Sequence, residues 1–304
     1  MSREYYDRDG ECLTREEVHR IPPEQLGTRS GITLNILPDV DALYDAVAEI
    51  MIEVILQKKG GKATMILPVG PVGQYPVFAR KVADRRIDCR NLWTFNMDEF
   101  LDRNGRTIPQ SHPMSFRQTM METLYDRMPP ELRMPIEQMF FPRHDNMDEI
   151  DRLFDEHAPD GVDLCLAGVG PEGHFAFNED PNFHHVEVTQ EEFLADRTRL
   201  VMVNASTVDM DALVASCGDR SAVPPFAVTI GPHDVLRAKR TEVIFFAGTF
   251  QRNALRETLF RKPTIRFPGS LLKLRKASDG SLVPQALTVW ATPTETGGVT
   301  TRTI

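Results

Sequence analysis

VDLCLAGVGPEGHFAFNEDP, residues 162–181, begins with an apolar run (Val162, Leu164, Cys165, Leu166, Ala167) and then breaks into Gly168, Gly170 and Gly173. The run is continuous and short, as expected of a strand buried on both faces of a parallel sheet. Glu172, His174 and Glu179 follow close behind. In open α/β sheets, ligands gather just beyond the carboxyl ends of strands. A histidine between two acids on such a loop has the parts of a proton-transfer site. The three glycines also satisfy G-x-G-x-x-G, but a dinucleotide site needs them to open a helix. Pro181 stops any helix early. The nucleotide reading therefore fails on context.

Upstream, Met147–His157 reads as an acidic helix and Asn91–Asn96 as a strand ending in Met97-Asp98-Glu99-Phe100. Adjacent acids point in different directions along a strand, so only one can face a cleft. Ala63–Val69 is a further strand that runs into Gly70-Pro71-Val72-Gly73 before a helical segment around Val77–Val82. That turn is either a backbone anion site at a helix N-terminus or a plain tight βα turn. It lacks the Lys-Ser/Thr of an ATP-binding loop. Ile32–Leu37 reads as the first strand, and Asp39 caps a long helix carrying Leu43, Val47, Ile50, Met51 and Val54. Ser115–Met128 reads as another helix.

Downstream, residues 182–196 look irregular, and His184-His185 reads as a surface pair. Arg199–Val203, Phe226–Ile230, Glu242–Ala247 and Ala286–Trp290 read as strands. Phe250–Phe260 reads as a helix with Arg252 in its first turn, against the dipole, which makes Arg252 a candidate anion ligand. Strands alternating with helices predict a doubly wound, mostly parallel α/β sheet, Rossmann-like, in a single domain. That domain is expected over 31–275. Residues 1–30 are expected as a surface extension with a short helix near Arg15–His19, and 276–304 as a strand followed by a frayed tail after Thr292.

The formal charge of −9 argues against a nucleic-acid partner. The four cysteines form no C-x-x-C pair, which suits a reducing cytoplasm. The polar opening has no signal-peptide pattern, and no apolar run reaches membrane-spanning length, so a cytoplasmic protein without a membrane partner is expected.

Taken together, LPVG at 67–70, TFNMDEF at 94–100, HPMSF at 112–116 and GVGPEGHFAFNEDP at 168–181 resemble the glucosamine-6-phosphate deaminase (isomerase) family. The same superfamily holds 6-phosphogluconolactonase. Weaker likeness continues through VTIG at 228–231 and FPGSLL at 267–272. The lactonase branch typically reads G-H-T-A-S-L-F-P after the histidine, so Phe177-Asn178-Glu179 sides with the deaminases. The resemblance implies aldose–ketose isomerisation of an amino sugar with loss of ammonia, without metal or cofactor, in a homo-oligomer. It implies that Asp98 moves a proton between C1 and C2, and that His174 opens the ring, oriented by Glu172 and Glu179. It places Gly70, Pro71, Val72, Gly73, Glu99, Gly170 and Arg252 around the substrate.

The departures from the family pattern bear on the substrate. Members usually read L-P-T-G-G/S-T-P at the first loop, whereas this chain has Val69, Pro71 and Val72, and Pro71 has no N–H. The phosphate arginine of A-N-S-R-F-F falls on Thr207 or Leu213, depending on alignment, and Glu172 stands where Asp or Asn is common. The chemistry is expected to be kept while recognition of a 6-phosphate is lost. The alternatives are a sugar lactonase or hydrolase with His174 as general base, or a silent sugar-binding protein.

Overall fold

The computed structural model describes residues 4–277 and 279–299. Among the described residues, ten strands build the two larger sheets: β1 Thr33–Ile36, β2 Ala63–Leu67, β3 Leu92–Asn96, β4 Asp98–Leu101, β5 Met139–Phe140, β6 Leu164–Gly168, β7 Arg199–Met202, β8 Phe226–Thr229, β9 Thr241–Ile244 and β10 Thr288–Ala291. The central sheet is parallel throughout, in the order β1-β10-β9-β6-β2-β3-β5. Both its faces are covered. Along β6, Cys165 and Ala167 enter one apolar cluster while Leu164 and Leu166 enter the other. Each fully buried leucine contributes roughly 1.5–3 kcal/mol. The expected doubly wound α/β domain is what the chain forms.

Helices cover the sheet: α1 Val40–Gln57, α2 Gln74–Arg85, α3 Phe116–Thr123, α4 Met147–His157, α5 Ala205–Ala215 and α6 Arg252–Phe260. As its sequence predicts, α1 starts at Asp39, whose carboxylate accepts from Ala42 N at 2.8 Å. The chain steps from β2 outward to β3 and β5, then returns to place β6 on the other side of β2. The strand order thus reverses between β2 and β6. The loops leaving those two carboxyl ends are the two glycine turns.

Three features differ from the sequence reading. First, β7 and β8 are not in the central sheet: β8 pairs antiparallel with β4 on one side and with β7 on the other, in a separate sheet ordered β4-β8-β7. Second, the first thirty residues are not merely superficial. Helix Arg15–Arg20 has a Thr14/Glu17 capping box, and Val18, Ile21 and Leu26 are buried in the main core. Third, the segment after Thr292 forms a capped turn, Pro293–Thr296, with Glu295 and Thr296 buried. The remainder of that tail, 300–304, lies outside the described residues. Arg256 ties the two ends together: wholly buried, it donates to the carbonyls of Val18, Ile21, Thr296 and Gly297. Among the described residues, no helix is long and apolar enough to cross a membrane.

Candidate active site

A cleft of about 500 Å³ opens over the β2/β6 reversal point. Its walls come from the loops after β2 (Pro68–Val72), β3 (Met97, Asp98), β6 (Gly168–Pro171, His174) and β9 (Phe246, Ala247), and from one side of α5. This is where an open α/β sheet is built to hold a ligand.

Asp98 and Glu99 go opposite ways, as their alternation along β4 requires. Asp98 lines the cleft and is only 5% exposed. Burial pushes its carboxyl up to about 8, with Glu99 and Asp211 adding and His174 opposing. Glu99 does not face the cleft. Its carboxylate accepts from the Ser115 hydroxyl (3.0 Å) and from the backbone N–H groups of Phe100 (2.9 Å), Phe116 (3.0 Å) and Arg117 (2.9 Å). The free N–H groups at the start of α3 use up Glu99, so its expected place beside the substrate is corrected.

His174 also lines the cleft. Its ring lies over Gly170, where a Cβ would come within 2.2 Å of His174 Cε1. Glycine at 170 is thus what allows the imidazole to sit where it does. Behind the ring, Glu172 Oε1 stands 3.2 Å from Nδ1, within ion-pair range though not aligned as a hydrogen bond. Burial works against a charged His174, but Glu172, Glu179 and Asp211 outweigh it and raise the imidazole above its usual range. Burial likewise opposes charge on Glu172, yet His174 and Thr207 hold it down at about 2. Each partner thus favours the charged form of the other.

Neither Glu172 nor Glu179 is part of the cleft wall. Glu179 is buried, and it accepts from Asn204 N (2.9 Å) and pairs with His184 Nε2 (3.0 Å). Thr207 Oγ1 joins the two acids, at 2.7 Å from Glu172 Oε1 and 2.6 Å from Glu179 Oε1. Glu172, His174 and Glu179 each offer an atom to a common point, all within 4.8 Å of one another. The Thr207 hydroxyl already engages both carboxylates, so the trio reads as a hydrogen-bonded support for the histidine.

Of the expected first-loop residues, Gly70, Pro71 and Val72 line the cleft, whereas Gly73 does not. Gly73 sits against Tyr44, where a Cβ would lie 2.1 Å from the ring. Arg252 is a second correction. Its guanidinium donates to Thr294 O (2.8 Å) and Gly298 O (3.3 Å), which draws it onto the C-terminal turn and off the cleft wall.

Several residues of the site were not expected from sequence. Thr207 and Asp211 are one turn apart on α5 and both line the cleft, while Leu213 is 69% exposed. Burial pushes Asp211 up to about 6, with His174 opposing and Glu172 and Glu179 adding. Gln251 bridges two loops, donating to Val169 O (2.9 Å) and accepting from Phe246 N (3.0 Å) and Ala247 N (2.8 Å). His184, read as surface, braces Glu179.

No family model matches the chain. Among curated proteins it is 25% identical over 250 residues to the glucosamine-6-phosphate deaminase of Clostridioides difficile, covering 79% of this chain and 90% of that one. The Caenorhabditis elegans glucosamine-6-phosphate deaminase is 28% identical over 226 residues, covering 71% and 77%. Among solved structures, a monomeric glucosamine-6-phosphate deaminase superposes with a TM-score of 0.69 at 22% identity, over 87% of this chain and 98% of that one. The 6-phosphogluconolactonase of Thermotoga maritima superposes with a TM-score of 0.59 at 17% identity, over 86% and 99%.

Proposed function

We propose, for a chain that belongs to the glucosamine-6-phosphate deaminase family as a divergent member, that it is an isomerising deaminase of an amino sugar that carries no 6-phosphate. One observation carries the reading: Asp98 and His174 face a single cleft, and none of the described residues lining it is lysine or arginine.

The proposed chemistry moves protons only. Imidazolium of His174, kept charged by Glu172, gives a proton to the ring oxygen as the C1–O5 bond breaks, while the C1 hydroxyl loses its proton to water and becomes the aldehyde oxygen. Asp98 then takes the proton from C2 and returns it to C1. With one ammonium proton passing to the C1 oxygen, this converts the ammonium aldehyde into a C2 iminium with a C1 hydroxyl. Water adds at C2 and ammonia leaves, giving the ketose. A base whose ordinary value is moved toward neutral suits this exchange, since it must both accept and return the proton. An incoming ammonium or iminium favours the carboxylate of Asp98 and so readies it when substrate is present.

The missing cations support the change of substrate. A phosphate dianion normally draws several charge-assisted bonds, each worth roughly 1.5–3 kcal/mol. Here the loop supplies Pro71 and Val72, and Arg252 is engaged elsewhere. A homo-oligomer in the cytoplasm belongs to the same proposal, with size-exclusion chromatography as its check. The central test is an ammonia-release screen over amino sugars with and without phosphate, with Asp98→Asn as control. Acid release from a sugar lactone without ammonia release would instead favour the hydrolase reading. Inactivity of both proteins on every sugar would favour a binding protein.

A further inference from the structure

The environment of His174 specifies what the far end of the sugar carries, an inference that rests on the deaminase reading above. In a hexose the ring oxygen is bonded to C5, and C6 hangs from that same carbon. Whatever protonates the ring oxygen therefore stands beside the C6 substituent. The acids that act on His174 are Glu172, Glu179 and Asp211, together with Asp98, the proposed base. Of these Asp98 and Asp211 line the cleft, and Asp98 is committed to C1 and C2, which leaves Asp211. It sits four residues after Thr207, so both face the cleft from one side of α5. Its helix neighbours in the wall, Met210, Val214 and Ala215, are apolar, and Pro71 and Val72, which also line the cleft, offer no side-chain donor.

We propose that Asp211 is the specificity-determining residue of this cleft: it accepts a hydrogen bond from a C6 hydroxyl and bars a phosphate from the same place. A carboxylate can reward a donor there and repels a dianion; His174, the proton donor itself, is the basic side chain of the described wall, and no lysine or arginine stands with it to offset Asp211. The substrate class is thus a 2-amino sugar with a free hydroxyl at C6.

The test uses ligands that cannot react: the open-chain amino alditol of glucosamine with hydroxyl, hydrogen or phosphate at C6. Binding to the full chain is measured by calorimetry for wild type, Asp211→Asn and Asp211→Arg. Wild type is expected to bind the hydroxyl ligand at least roughly 100-fold more tightly than the phosphate, and more tightly than the deoxy ligand. Asp211→Asn should narrow the hydroxyl-to-phosphate ratio by about tenfold or more, and Asp211→Arg should reverse it. Because Asp211 is only partly buried, these variants are expected to fold, and an unchanged melting temperature checks this. Wild-type preference for the phosphate, or an unaltered ratio in Asp211→Asn, overturns the assignment while leaving the deaminase reading to its own assay. Failure of all three ligands to bind wild type overturns both.

Discussion

Glu172 Oε1 lies 3.2 Å from His174 Nδ1, and Glu172 stands outside the cleft wall that His174 and Asp98 share. The contact occupies the Nδ1 edge of the ring and leaves Nε2 to serve a substrate. It also determines the charge of the ring, because burial alone would push His174 down. Replacing Glu172 with Gln removes the principal group that raises the imidazole. The basic limb of kcat/KM, where His174 loses its proton, is expected to move to lower pH, and an NMR titration of the imidazole should move with it. An unmoved basic limb would mean that Glu172 does not set the proton affinity of His174.

Asp98 couples function to stability in the opposite direction. Its folded value of about 8 stands above the ordinary 3.8, so the folded state prefers the protonated form. The stability linked to this group is complete below about pH 4 and declines as pH rises toward 8, levelling above it. Asp98→Asn, which stays neutral, should therefore melt above wild type at pH 8–9 by an amount on the order of a few kcal/mol, with the gap closing near pH 4. The same variant should lose about 10²–10⁴-fold in turnover. A parallel pH dependence of melting in the two proteins would contradict this.

Two glycines separate packing from chemistry. A Cβ on Gly170 would overlap the His174 ring at 2.2 Å, whereas a Cβ on Gly73 would overlap the Tyr44 ring at 2.1 Å. Gly170→Ala should displace the imidazole and cost about 100-fold in turnover, with little change in melting. Gly73→Ala should cost about 1–3 kcal/mol of stability through overpacking, with the smaller effect on turnover. Stopped assays and thermal melts on the two variants distinguish these outcomes.

The sheet was legible because its strands are short, apolar and bounded by glycine or proline, and buried parallel strands need nothing else to be recognised. Pairing was not. Arg199–Val203 and Phe226–Ile230 look like any other strands, and only their register against Asp98–Leu101 assigns them to a second sheet. The histidine loop stood out because its charges are crowded next to an apolar run. Helix α5 hid its role because it departs from the usual pattern: Leu213 is 69% exposed, while Thr207 is buried and Asp211 faces the cleft. Hydrophobic periodicity points to the wrong side of such a helix. Glu99 and Arg252 were misplaced for a related reason. Each meets unpaired backbone groups at a helix start or chain end, and those partners are invisible in the linear sequence.

Thr207 occupies the one position from which a single hydroxyl reaches both Glu172 and Glu179. Without it, Glu172 would keep only the Ser206 hydroxyl (3.1 Å), the buried Glu179 would lose the one donor to its Oε1, and the support behind His174 would loosen. Thr207→Val keeps the shape and deletes only the hydroxyl. It should lose about 1–3 kcal/mol of stability, the cost of leaving the buried Glu179 Oε1 unsatisfied, and should lower kcat more than it raises KM. Thr207→Ser keeps the hydroxyl and should restore most of both. Equal melting temperatures and equal kcat for the valine and serine variants would show that the hydroxyl does not hold the acids, and the orientation of His174 would then depend on Gly170 and Glu172 alone.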